Sequence, residues 1–130
     1  MNPVVHFELP YDDAERIAKF YAQAFDWQTR QLGAEMGHYV LAMTTESDDQ
    51  GPKAAGVING GFYARKPSSP AQQPSVVIAV HDIATAMQKI AAAGGKVLGE
   101  PMDIPGVGRY LSFLDTEGNR GSVLEPLPRG

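Results

Sequence analysis

Two residues near the start of the chain have the types and spacing for proton chemistry: His6 and Glu8, within Val4-Val5-His6-Phe7-Glu8-Leu9. Apolar and polar residues alternate there, the pattern of a half-buried strand, with Val5, Phe7 and Leu9 on one face and His6 and Glu8 on the other. An imidazole beside a carboxylate can serve as a general base whose partner orients and charges it. The same pair can instead line a cavity, the histidine only hydrogen-bonding a ligand or water. That second reading asks for less, because acid–base work also needs a substrate proton within reach.

Other chemistry finds less support. Cysteine is absent, which excludes a disulfide framework, a thiolate zinc site and a cysteine nucleophile. No Gly-x-Ser-x-Gly elbow marks a nucleophilic serine. Gly106-Val107-Gly108 has two glycines of a phosphate loop but lacks the third and lies between two strands, so it reads as a tight loop. Gly60-Gly61 interrupts a strand, either for close backbone approach to a ligand or for a bend that curls a sheet. Tyr39, Tyr63, Tyr110 and Arg109 are candidates to line a cavity, although packing or exposure explains each taken singly. His38 and His81 fall at strand or loop ends and read as surface residues.

The elements that must position these residues follow from periodicity. A strand over Val4–Leu9 is expected to stop at Pro10, and Asp12 with Glu15 has the spacing of a capping box. Ala14, Ile17, Ala18, Tyr21, Ala24 and Phe25 then recur as one apolar helical stripe. Strands are expected over Gln28–Leu32, Tyr39–Met43 and Ala55–Tyr63, with Thr44–Lys53 an exposed polar hairpin loop. Lys66–Pro74, holding Pro67, Pro70 and Pro74, has the composition of a linker. The pattern then restarts: a strand over Ser75–Val80, a cap at Asp82, and a helical stripe of Ile83, Ala86, Met87, Ile90 and Ala93. Gly94-Gly95 ends that helix. Strands over Lys96–Gly99, Arg109–Leu114 and Arg120–Glu125 follow, the last two joined by a turn at Asp115–Asn119.

A shift of about 69 positions lays the first apolar pattern over the second. The fold class this implies is α+β, two βαβββ modules in one domain over residues 1–130. Module one spans about residues 3–64, a linker about 65–74 and module two about 75–127.

The chain holds 130 residues, enough for one sizeable core. Its net charge is −4 and its basic residues are scattered, so the basic stripe of a nucleic-acid surface is missing. No apolar run approaches the roughly 20 residues of a membrane helix, and the N-terminus reads as a strand without a signal peptide's charged and apolar regions. The expected location is therefore cytoplasmic, with neither nucleic acid nor membrane as a partner.

Several fragments, in this order and spacing, resemble the glyoxalase/bleomycin-resistance/dioxygenase (vicinal-oxygen-chelate) superfamily. They are His6–Pro10, Phe20-Tyr21 with Phe25-Asp26-Trp27, Gly60-Gly61, Ala93–Val97, Ile104–Arg109 and Asp115–Asn119. In detail the chain resembles a bacterial branch related to lactoylglutathione lyase. The resemblance implies a mixed sheet curled around a central cavity, helices outside, and a homodimer.

Metal-using relatives place one ligand on each of four strands. Carried over, those places fall on His6, Asn59, Ser75 and Ser122. Only His6 is an ordinary ligand for a catalytic transition metal. No cofactor is therefore expected, and His6 is the one candidate ligand should a divalent metal bind. Glyoxalase I and dioxygenase activities are not what this donor set suggests. Glu125 has the opposite parity to Ser122 and should face the helix layer or the rim.

The resemblance implies a small-molecule-binding protein of the glyoxalase/bleomycin-resistance type, with Asn59, Gly60, Gly61, Ser75, Arg109 and Ser122 in the binding cavity. The alternative is a lyase- or isomerase-type enzyme acting on a small oxygenated substrate through His6 and Glu8, with or without a metal. A third reading, a domain that regulates or assembles with its cavity vestigial, fits less well, since buried polar groups cost stability unless satisfied.

Overall fold

The computed structural model describes residues 1–69 and 71–128. Pro70, within the expected linker, lies outside them. The chain divides into two compact units, one made of His6–Pro74 and one of Ser75–Gly130 with Met1–Val5.

In the first unit the order is β1 (Val4–Tyr11), α1 (Ala14–Phe25), β2 (Gln28–Gln31), β3 (Val40–Met43), a hairpin of β4 (Ser47–Asp48) and β5 (Gly51–Pro52), then β6 (Asn59–Ala64). The sheet runs β2-β3-β6-β1, with β1 parallel to β6 and the other pairs antiparallel. The alternation in β1 is realised at Phe7 and Leu9, which pack with Tyr11, Val40, Ala42 and Phe62 in an apolar cluster, whereas Val5 is exposed. Ala14, Ile17 and Tyr21 of α1 close over it, and Trp27 stacks on Tyr21 with ring centroids 4.5 Å apart.

Four expectations shift. β1 does not stop at Pro10 but pairs with β6 through Tyr11, since proline's fixed φ is compatible with extended backbone and removes only one donor. The helix cap is Asp13, whose carboxylate accepts the Arg16 N–H at 3.0 Å, while Asp12 pairs with Arg65 at 2.6 Å. The strand expected from Ala55 begins only at Asn59, because Ala55-Gly56 forms a turn with Gly56 at φ 82°. Phe25 also leaves the stripe: it is 61% exposed, at the last position before Asp26 turns left-handed and ends α1.

The second unit repeats the plan with β7 (Ser75–Ala79), α2 (Ile83–Ala92), β8 (Lys96–Ile104), β9 (Gly108–Leu114) and β10 (Arg120–Pro126). Its order, β7-β10-β9-β8, again has one parallel pair, β7 with β10, followed by two antiparallel pairs. Val80, Ile83, Leu111 and Val123 form its core with Ala86, Met87 and Ile90 of α2 packed on them. β8 outruns the expected Lys96–Gly99 by crossing an irregularity between Leu98 and Met102. Near the end of the first unit, Gln72 folds its side-chain amide back onto Lys66 and Ser69.

Candidate functional site

The parallel pairing of β1 with β6 sets His6 beside Asn59 and Glu8 beside Gly61. Odd and even positions of β1 point to opposite faces, so the residues that bury Phe7 and Leu9 also present His6 and Glu8 together. Glu8 is buried, 6% exposed, and His6 is half-buried.

Tyr39 stands between them: its hydroxyl donates to Glu8 Oε2 at 2.9 Å and lies 3.1 Å from His6 Nε2. The imidazole–carboxylate pair suggested by the sequence is thus a three-member chain, His6–Tyr39–Glu8. Burial pushes the His6 pKa down to about 4, so the ring is neutral at neutral pH and is oriented, not charged, by its surroundings.

Gly60 and Gly61 make room for this arrangement. A Cβ on Gly61 would fall on the Tyr39 ring and hydroxyl, and one on Gly60 on the Phe7 ring. The close approach that the glycines permit is therefore to the protein's own aromatic side chains, one on each face of β6. Asn59 is committed elsewhere. Its side-chain oxygen accepts the Thr44 N–H at 2.9 Å and its NH2 donates to Ser47 Oγ at 2.8 Å, tying β6 to the β4–β5 hairpin.

In the second unit Ser122 is 1% exposed and sits in a hydroxyl cluster, 2.7 Å from the Tyr110 hydroxyl and 3.1 Å from Ser112 Oγ. Arg120 donates to Ser112 Oγ at 3.3 Å. The register shows the kinship of the two sites: Leu41 pairs with Gly61 as Ser112 pairs with Ser122, which makes Tyr110 the counterpart of Tyr39. Arg109, expected in the cavity, has the opposite parity to Tyr110 and Ser112 and pairs with Asp103 at 3.3 Å. Arg120 is the cation at this cluster. Ser75 is half-buried at the start of β7, and His38 and His81 are exposed.

Glu125 faces the helix: its carboxylate accepts the Ile83 N–H at the start of α2. Sequence reading missed the roles of Tyr39, Ser112 and Arg120. Tyr39 and Tyr110 were visible as aromatic candidates, but Tyr39 meets His6 and Glu8 on β1 and Tyr110 meets Ser122 on β10.

Of the four positions that the resemblance names as metal places, three make hydrogen bonds within the protein. His6 Nε2 is engaged with Tyr39, the Asn59 oxygen with a backbone N–H and Ser122 with two hydroxyls. Among the described residues, no three His, Cys, Asp or Glu side chains gather in a way that could hold a metal. Neutral oxygens with one imidazole make a poor set for a transition metal.

The sequence model of the Glyoxalase/Bleomycin resistance protein/Dioxygenase superfamily matches residues 4–121. The chain belongs to that superfamily. A glyoxylase-like domain-containing protein from Didymella fabae is 27% identical over 119 residues, covering 89% of this chain and 88% of its own. CFP32 of Mycobacterium tuberculosis, which carries a provisional glyoxylase name, is 48% identical over 54 residues. That match spans 42% of this chain and only about a fifth, 21%, of the mycobacterial protein.

Among solved structures, hypothetical protein BH1468 from Bacillus halodurans superposes with a TM-score of 0.68 at 13% identity, covering 99% of this chain and 97% of its own. Methylmalonyl-CoA epimerase from Mycobacterium tuberculosis gives 0.67 at 15% identity, covering 96% and 88%. These likenesses place the chain in the α+β fold of that superfamily. No described helix is long and apolar enough to cross a membrane.

Proposed function

We propose that this chain is a small-molecule-binding protein that recognises a small oxygenated compound on the polar face of β1, without a resident metal. The observation that carries this reading is the His6–Tyr39–Glu8 chain. A carboxylate only 6% exposed is costly to bury unless it is hydrogen-bonded, and here it accepts from the tyrosine that also reaches the neutral imidazole. Asn59, Gly60 and Gly61 shape the surroundings of that chain. Ser75 and Ser122 remain proposed binding residues on the family resemblance, with Arg120 taking by geometry the place expected of Arg109 at the Ser122 cluster.

A calorimetric or thermal-shift screen of small oxygenated and aromatic compounds tests the reading. Binding should be lost in His6→Ala, and hits that survive this change would place the site elsewhere. Elemental analysis after incubation with Ni, Zn, Mn, Fe and Co salts and desalting should find no stoichiometric metal. Retention abolished by His6→Ala would overturn the metal-free part.

A second reading, an isomerase-type enzyme, is favoured by the same chain, since Tyr39 links an imidazole to a carboxylate along a path that a proton can follow. The structural likeness makes methylmalonyl-CoA the first substrate to assay, by wash-in of solvent deuterium. On the family resemblance we also propose a homodimer, testable by sedimentation, and a cytoplasmic location, testable by fractionation.

A further inference from the structure

The hydrogen-bond directions in the first unit restrict what its site can accept. Tyr39 has one hydroxyl proton, and it goes to Glu8 Oε2. An ionised Glu8 only accepts, so in that state it cannot return a proton to the tyrosine oxygen. Tyr39 then has only lone pairs to offer His6 Nε2 at 3.1 Å, and that contact is a hydrogen bond only if Nε2 carries the proton. In the neutral ring the other nitrogen, Nδ1, is consequently bare and acts as an acceptor.

Where Nδ1 points follows from the accounting of buried polar atoms. Among the described residues no fully buried side-chain nitrogen or oxygen lacks a partner. His6 is half-buried, and among the described residues the one hydrogen bond of its ring is through Nε2. Nδ1 has no such partner, so it is not sealed in the core. It is the polar atom of an otherwise packed ring that solvent reaches.

We propose that Tyr39 is a positioning residue that locks His6 in the Nε2–H tautomer, so that the ligand meets a bare Nδ1 and must present an O–H or N–H donor to it. A ligand offering only a carbonyl, ether or carboxylate oxygen meets lone pair against lone pair and is disfavoured. Gly61 is part of the same device, because any side chain there would displace the Tyr39 ring. The ligand class rests on the binding reading above, whereas the tautomer does not.

Nitrogen-15 NMR of the histidine rings, on the full chain near neutral pH and without ligand, is the deciding experiment. A His6→Gln sample assigns the His6 signals. The wild type should show one His6 tautomer, Nε2 protonated and Nδ1 bare, while exposed His38 and His81 show averaged tautomers. Tyr39→Phe should lose the single tautomer at His6 and leave the other two rings unchanged. A wild-type His6 protonated at Nδ1 overturns the lock whether or not Tyr39→Phe folds, and so does a folded Tyr39→Phe with an unchanged His6.

The donor requirement is then read on the wild type with phenol and its methyl ether, anisole, each to its solubility limit. Phenol should move the Nδ1 resonance and anisole should not. Equal movement, or none with phenol, overturns the ligand class while leaving the tautomer result standing.

Discussion

Tyr39 reaches both His6 and Glu8 only because Gly61 has no side chain. A methyl group at Gly61 would occupy the space of the Tyr39 ring and hydroxyl, so Gly61→Ala should push that ring aside and break the contacts to His6 and Glu8. Overpacking of this kind costs about 1–3 kcal/mol, to be read as a lowered urea midpoint, with the His6 tautomer signature lost in parallel. An unchanged midpoint would show that the ring relocates without strain.

His6 carries a second prediction. Its pKa is about 4 in the folded chain against an ordinary 6.5, so between those values the unfolded state binds a proton that the native state refuses. Stability is fully present above pH 6.5, falls as the pH drops towards 4 and levels off below, over a span of about 3 kcal/mol. Glu8 faces the ring through Tyr39. The quantity to measure is therefore the pH profile of the wild type minus that of His6→Gln, and a flat difference would show that burial of the ring is unimportant.

At this scale the sequence was partly legible. The shared face of His6 and Glu8 follows from strand alternation alone, whereas the Tyr39 contact spans 33 positions and depends on a strand register that local pattern does not encode.

Among the elements, α2 is held by two acidic groups from different parts of the chain. Asp82 accepts from the Ala84 N–H at 3.2 Å and from the Thr85 hydroxyl at 2.7 Å. Glu125, from β10, accepts the Ile83 N–H at 2.9 Å. A helix start leaves several N–H groups without intrahelical partners and attracts negative charge. Ile83 is fully buried, so losing the Glu125 carboxylate leaves its N–H without a replacement from the chain. Glu125→Ala should cost about 1–2 kcal/mol, with Glu125→Gln milder because an amide oxygen still accepts; equilibrium urea unfolding of both variants checks the order. The Asp82 cap was readable because capping is local. The parity of Glu125 was readable too, but not its partner. Where the reading slipped, at Pro10, Asp13 and the start of β6, a local preference yielded to sheet pairing or moved by one residue.

For the whole molecule, the question is what holds it folded. Each unit has its own apolar cluster, Tyr11, Val40, Ala42 and Phe62 in one and Val80, Ile83, Leu111 and Val123 in the other. Among the described residues, every fully buried polar side-chain atom has a partner. The repeat was legible in the sequence because both clusters come from the same periodic pattern, read twice. A chain built this way, with no cysteine, should owe its stability to neither a metal nor a disulfide. A metal present at a hundred times its dissociation constant adds about 2.7 kcal/mol to stability. Removing it from a chain of this size would lower the melting temperature by several degrees. Exhaustive treatment with EDTA, and separately with a thiol reductant, should therefore leave the melting temperature unchanged. A drop of several degrees with EDTA, restored by one metal and not by others, would mean that donors outside the four family positions hold an ion that the fold depends on.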